Sequence, residues 1–224
     1  MKSLTRTELL GYSLLLFVYA LGIYFANSDV VFFDTHIVQE DGFAEYGTAF
    51  MLLCVFILTG GRLLNLGSSK PLLWKIGLAG MTLVFLFGAG EEISWGQRLF
   101  GIESSEYFLE NNAQQETNLH NMMVGETKIN KLVFSQILTV VLVIYLLILP
   151  ILYRKKEWAK NLVNSFGVPV ARWSHTTALV LATGMLEFMK SSSRRWELYE
   201  LAFGVIFFII FLNPLNDSIY KKEG

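Results

Sequence analysis

Six apolar runs of about 20 residues limit what this chain can fold into more than any other feature of its sequence. They lie near residues 8–27, 43–66, 71–97, 130–153, 171–190 and 196–215. A helix rises about 1.5 Å per residue, so about 20 apolar residues cross the ~30 Å hydrocarbon layer of a bilayer. The sequence therefore predicts a single domain over residues 1–224, an all-α, polytopic integral membrane helical bundle with about six transmembrane helices.

The composition of the chain excludes several classes of protein. Hydrophobic residues make up 53% of the chain and charged residues 17%, whereas soluble domains carry about 25% charged residues. Cys54 is the only cysteine, which excludes an intrachain disulfide and a cysteine-rich metal site. The formal net charge is −1, without the basic and aromatic pattern of a nucleic-acid binder. Membrane lipids are therefore the expected partners, and nucleic acid is not.

The loops differ in charge. With the N-terminus inside, twelve of the 18 lysines and arginines fall on the inner side, and fifteen of the 19 acidic residues fall on the outer side. The positive-inside rule then places both termini in the cytoplasm, as in a protein of the bacterial inner (plasma) membrane. The first run is longer than the apolar part of a signal peptide, so we expect it to be retained as a span.

The end of the third run is the most unusual segment. Glu91 and Glu92 follow about 20 mostly apolar residues, and an ionisable group inside a span indicates a functional site by default. In a continuous helix, Glu91 would share one stripe with Ser94 and Arg98. Ion pairing of Glu91 with Arg98 at the membrane interface is the alternative. Three glycines would allow a neighbouring helix to approach closely; they are Gly88, Gly90 and Gly96.

Residues 101–128 form an outer polar loop that is longer than most structureless connections. Its second half, 112–124, contains neither proline nor glycine, so we expect a short amphipathic helix across the mouth of the bundle. Glu116 and His120 would then share one face, because residues four apart are neighbours on a helix. Such a pair suits a divalent metal or a histidine oriented by a carboxylate. A solvated loop helix without chemistry is the alternative.

More carboxylates are expected at the same depth as the end of the third span. They are Glu40, Asp41, Glu45, Glu187, Glu197 and Glu200. His175 begins the fifth run at the opposite side, so about one membrane thickness separates it from His120. The sequence thus predicts an outward-facing site of carboxylates with one or two histidines.

The candidate residues of this site fall into three groups. Those with expected acid–base roles are Glu91, Glu92, Glu116 and His120. Those expected to bind substrate are Ser94, Gln97, Arg98, Asn118 and Asn121. Those expected to hold a divalent metal, if one is the cofactor, are Glu92, Glu116 and His120.

The leading hypothesis from these residues is a hydrolase or transferase acting on a lipid or lipid-linked substrate. Glu91 or Glu92 would be the general base or a metal ligand, and Arg98 or Gln97 would hold an anionic or carbonyl group. A cation- or proton-coupled transporter is one alternative, although the middles of the spans offer few polar groups. A structural or assembly subunit of a membrane complex is the other. The sequence leaves open whether the protein is an enzyme.

Overall fold

The computed structural model describes residues 3–119, 121–124, 127–128 and 137–222. His120 and residues 130–136 of the predicted fourth span lie outside this range. Six longer helices organise the described chain. Their bounds are Arg6–Ser28 (α1), Phe43–Leu66 (α2), Leu72–Glu92 (α3), Leu138–Lys155 (α4), Trp173–Met185 (α5) and Trp196–Leu212 (α6).

Shorter elements connect these helices. The α-helical ones are Val30–Phe32, Gln97–Phe100, Glu106–Asn111 and Glu157–Ser165. A π-turn spans Phe33–Ile37, and 3-10 turns span Gly67–Ser69, Ser94–Gly96, Leu186–Met189, Ser193–Arg195 and Asp217–Tyr220. Two strands of two residues each, Met123–Val124 (β1) and Thr127–Lys128 (β2), pair antiparallel with Met123 opposite Lys128. The fold is an all-α bundle with this one small hairpin.

Among the described residues, four helices are long and apolar enough to cross a membrane. They are α1, α2 with its following turn, α3 and α4, and their most apolar stretches are 11–28% buried inside the protein. Large apolar side chains point outward from these helices, such as Leu10 at 72% exposure and Val84 at 65%. Such surfaces are costly in water and favourable against lipid tails. The chain is therefore a helical protein of the membrane type.

Helix α6 occupies the centre of the bundle and packs against α1, α2 and α5. Its buried residues are Leu198, Leu201, Ala202, Gly204, Val205, Ile206, Ile209, Ile210 and Phe211. Small residues let its neighbours approach, since a Cβ at Gly22 of α1 would lie 2.6 Å from Leu198 and one at Gly47 of α2 would lie 2.8 Å from Leu201. A helix that is apolar on all faces belongs in such a core.

We call the end of the bundle where α1 begins the inner end, after the predicted orientation, and the opposite end the outer end. At the inner end, Glu8 and His175 are both 0% exposed, and Nε2 of His175 lies 3.0 Å from Oε1 of Glu8. The Nδ1 atom of His175 accepts the backbone N–H of Arg172 at 3.2 Å. Nε2 therefore carries the ring proton and donates a hydrogen bond to Glu8. His175 thus lies at the end of the bundle where α1 begins.

Helix α4 contains a proline and compensates for it through a neighbour. Pro150 has no N–H, so the carbonyl of Leu146, four residues earlier, loses its ordinary intrahelical donor. A π-turn, Ile144–Ile148, precedes the proline, and the hydroxyl of Thr176 in α5 donates to the Leu146 carbonyl at 3.0 Å. The hydrogen bond that α4 cannot make is thus supplied by α5.

Candidate functional site

Helix α3 ends at Glu92, because the backbone turns left-handed directly afterwards. The φ angles of Ser94, Trp95 and Gly96 are 45°, 55° and 80°. Left-handed geometry costs roughly 1–2 kcal/mol at a residue with a Cβ. The prediction of one continuous helix over 71–97 is therefore wrong at its end, and so is the helical stripe that it implied for the residues after Glu92.

Two contacts hold this strained turn in place. The indole ring of Trp95 packs on Gly90, where an added Cβ would lie 2.8 Å from the ring. Its Nε1 donates to Oε1 of Glu91 at 2.9 Å. Gly90 thus accommodates the tryptophan of its own segment rather than a neighbouring helix, whereas Gly88 does face Leu52 of α2. Tryptophan residues near the ends of spans are usually explained by the aromatic belt of the membrane interface, so no sequence pattern predicted this packing role for Trp95.

The turn brings Ser94 to a buried polar network with the outer loop. The Ser94 hydroxyl donates to Oε2 of Glu116 at 2.5 Å, and the amide of Asn118 donates to both Ser94 Oγ and Glu116 Oε2 at 2.9 Å. Arg98 forms ion pairs with Glu116 and with Asp41. We call Ser94, Arg98, Glu116 and Asn118 the Glu116 network. Because the serine donates to a carboxylate that Arg98 already holds, Ser94 acts as an anchor rather than as a nucleophile beside a base.

The outer loop reaches this network without the predicted helix. Residues 112–119 form turns, so the helix expected over 112–124 is wrong, and the helix of this loop lies at Glu106–Asn111. The side chain of Asn112 explains the difference. Its Oδ1 accepts the backbone N–H groups of Gln114 at 2.9 Å and Glu116 at 3.2 Å. A side chain that captures these donors competes directly with helix formation.

A second set of bonds fastens the loop to the end of α3. Oε2 of Glu91 accepts the backbone N–H of Leu119 at 2.6 Å, and Oε1 of Gln97 accepts that of Thr117 at 2.7 Å. Glu91 is 4% exposed. Its predicted role as an acid–base group therefore competes with a structural one, since both of its oxygens bind the surrounding framework.

The loop is also connected to the first outer loop of the bundle. The amide of Asn121 donates to Gln114 at 2.5 Å, and the amide of Gln114 donates to Glu40 at 2.9 Å. The structure therefore places Gln97, Asn118 and Asn121, three of the predicted substrate-binding residues, within the framework that holds the loop on the bundle.

Glu92 has a different environment. It is partly exposed and interacts electrostatically with Glu45 of α2 and with Glu197 and Glu200 of α6. We call these four residues the carboxylate cluster. The sequence predicted that they share one depth with the end of the third span, and their electrostatic effect on Glu92 is consistent with that prediction. Neighbouring carboxylates repel one another unless a proton or a cation lies between them.

The described residues do not support the predicted metal site. Among them, no group of three or more His, Cys, Asp and Glu side chains could hold a metal ion. Glu116 is bound within its network, while Glu92 belongs to the carboxylate cluster. His120 lies outside the described range. The reason for pairing it with Glu116, a common helix face, is absent because residues 112–119 are not helical.

Comparison with family models, with curated proteins and with solved structures finds no significant match for this chain.

Proposed function

We propose that the chain is an integral membrane protein with six crossing helices whose outer end hydrolyses, or transfers a group from, a lipid or lipid-linked substrate. The observation that carries this proposal is the electrostatic interaction of Glu92 in α3 with Glu45 in α2 and with Glu197 and Glu200 in α6. Glu45 and Glu92 lie at the ends of two long apolar helices, at the depth where the head groups of lipids would lie.

The direction of α5 supports the proposal of six crossings. α5 together with its 3-10 turn, and α6 with 17 residues, are each at the lower limit for a span. Asn27 near the end of α1 bonds to Phe188 after α5, and Glu8 at the start of α1 bonds to His175 at the start of α5. α5 therefore crosses the same thickness as α1, in the same direction.

The chemistry proposed for the carboxylate cluster is paired acid–base catalysis. One carboxylate takes the proton of the attacking water or hydroxyl group, and a neighbouring carboxylic acid gives a proton to the leaving oxygen. The proton balance closes, since one proton is taken and one is given. We assign one of these two acid–base roles to Glu92 because it is partly exposed, whereas Glu91 and Glu116 are bound in the framework around it.

The transport alternative finds less support, because polar groups in the middle of the described helices are used locally. The hydroxyls of Thr59 and Thr82 donate to the carbonyls four residues earlier, at 2.9 Å and 2.8 Å. Hydroxyls bound in this way do not line a polar path.

The assembly alternative needs an exposed surface on which a partner protein could dock, and the Asn- and Gln-rich loop is the segment that would provide it. Asn112 and Asn118, however, are 5% and 1% exposed.

The experiment uses Glu92→Gln with Glu110→Gln, an exposed carboxylate on the loop helix, as the matched control. Wild-type protein purified in detergent is incubated with a total membrane lipid extract, and the products are followed by mass spectrometry. We expect wild type and Glu110→Gln to convert a lipid and Glu92→Gln to be inactive while keeping a monodisperse elution profile. Conversion by Glu92→Gln at the wild-type rate would refute the proposed role of the carboxylate cluster. His120→Gln, assayed in parallel, tests the predicted acid–base role of His120.

A further inference from the structure

An open groove of about 1010 Å³ lies at the outer end, between the end of α1 and the turn that follows α5. One wall is apolar and consists of Ile23, Tyr24 and Phe188, while Glu187 and Lys190 line its polar side. The groove is formed by other helices than the carboxylate cluster, which belongs to α2, α3 and α6. What it binds is therefore independent of the function proposed for that cluster.

The neutral polar groups of the groove are already bonded within the protein. The amide of Asn27 donates to the carbonyls of Ile23 and Phe188 at 2.7 Å and 2.8 Å. The hydroxyl of Ser28 donates to the Tyr24 carbonyl at 2.8 Å, and that of Ser191 donates to the carbonyl of Ala26 at 2.6 Å. These bonds fix the two walls against each other and leave the charged groups to define what the groove attracts.

Glu187 and Lys190 are both exposed. Neither side chain has a hydrogen bond or ion pair with the part of the chain that the structure describes. They stand three residues apart at a 3-10 turn, Leu186–Met189, where side chains at this spacing lie one above the other. The groove thus offers one negative and one positive side chain, on residues about 6 Å apart along the backbone of the turn, beside an apolar wall.

We propose that this groove binds a phospholipid whose zwitterionic head group ends in a primary amine. The phosphate binds the Lys190 ammonium, the amine binds the Glu187 carboxylate, and an acyl chain lies on Ile23, Tyr24 and Phe188. A primary ammonium donates charge-assisted hydrogen bonds to a carboxylate, which a quaternary ammonium cannot do. An anionic head group without an amine would place its phosphate near Glu187 without compensation.

The test measures binding of three short-chain phospholipids to the full-length protein in detergent by native mass spectrometry. The probes are dioctanoyl phosphatidylethanolamine, phosphatidylcholine and phosphatidylglycerol. We expect wild type to bind phosphatidylethanolamine about threefold more tightly than phosphatidylglycerol, the effect of about one exposed ion pair. Equal affinity of wild type for all three lipids would overturn the proposal, whatever the variants do.

Two variants identify the groups that read the head group. Glu187→Gln is expected to lose the preference for phosphatidylethanolamine and to bind phosphatidylglycerol more tightly than wild type does. Lys190→Gln is expected to bind all three probes more weakly, by about threefold. Lys156→Gln and Glu157→Gln, at exposed positions of the inner end, are the controls and should keep the wild-type order of affinities. A preference for the amine that persists in Glu187→Gln would contradict the assignment.

Discussion

The two ends of the bundle each hold a glutamate with distinctive electrostatic neighbours, and those neighbours differ in the sign of their charge. At the inner end, Glu8 meets the imidazole of His175 at 3.0 Å and the guanidinium of Arg172 at 3.5 Å. At the outer end, the electrostatic neighbours of Glu92 include the carboxylates of Glu45, Glu197 and Glu200. One site pairs a negative charge with donors and a cation, and the other concentrates charges of one sign.

This difference separates a structural role from a functional one. When a buried carboxylate is surrounded by donors and a cation, removal of one partner strongly destabilises the protein. Such a group of interacting side chains therefore keeps the helices in register. A group of like charges costs folding energy wherever it occurs, and proteins retain such costs mainly where activity needs them. The outer carboxylates are therefore a better candidate site than the inner histidine, although histidine is the more usual catalyst.

The strongest way to break this comparison is Glu8→Gln. Removal of the charge leaves the Arg172 guanidinium without its buried anion and gives His175 a weaker acceptor, so the free energy of unfolding should fall by about 3 kcal/mol. The measurement is the thermal unfolding midpoint in detergent. Glu157→Gln is the control, because its side chain is 80% exposed at the same end. If Glu8→Gln unfolds at the same temperature as this control, the inner set has no structural role.

The second effect concerns the Glu116 network. Glu116→Gln loses the ion pair with Arg98 and leaves the Ser94 hydroxyl with a weaker acceptor, at a cost of about 2–3 kcal/mol. The loop over 101–128 should then open more often and be cut faster in limited proteolysis, while the helices stay intact. Glu110→Gln on the same loop is the control. Unchanged cutting of the Glu116 variant would show that other bonds hold the loop.

A smaller effect is expected at the left-handed turn after α3. Gly96→Ala introduces a Cβ at a φ of 80°, and that atom would lie 2.8 Å from the ring of Phe100. Gly101→Ala is matched to it, since Gly101 has a φ of 63° and open space around the added Cβ. Both should lose about 1 kcal/mol from backbone strain, and Gly96→Ala should lose more. Equal unfolding midpoints would mean that the Phe100 ring moves aside without cost.

The smallest effect has the opposite sign and sharpens the comparison most. Glu92→Gln removes like-charge repulsion within the carboxylate cluster, so we expect the protein to gain about 0.5–1 kcal/mol of stability. The same thermal midpoint measures it, next to that of Glu8→Gln. A Glu92→Gln protein that is destabilised as much as Glu8→Gln would show that both ends serve the same structural purpose.

The apolar runs were sufficient to predict the positions of the long helices. α2 covers the predicted 43–66 without a shift, and α1 begins and ends within two residues of the prediction. Hydrophobic length decides these bounds, and it can be read without knowledge of tertiary contacts. The end of α3 was predicted wrongly because its left-handed turn depends on Trp95 packing over Gly90. The hydrophobicity pattern of the sequence does not predict this contact.

The outer loop was predicted less well, for a physical reason that the sequence did contain. Asparagine side chains bond to nearby backbone groups and favour turns over helices, and Asn112 does so here. The absence of proline and glycine was given too much weight. At the inner end, Glu8 is part of a capping box with Thr5. This local role is sufficient to explain a glutamate at this position, so the sequence did not predict its hydrogen bond with His175, 167 positions away.

The bond from Thr176 to the Leu146 carbonyl bears on biosynthesis. α4 leaves the ribosome before α5, so the Leu146 carbonyl, which has no N–H four residues later, receives the Thr176 hydroxyl only once α5 has been made. A hydrogen bond of this kind contributes only about 0.6 kcal/mol on average, which is a bias and not a barrier. We expect it to favour early packing of α5 against α4.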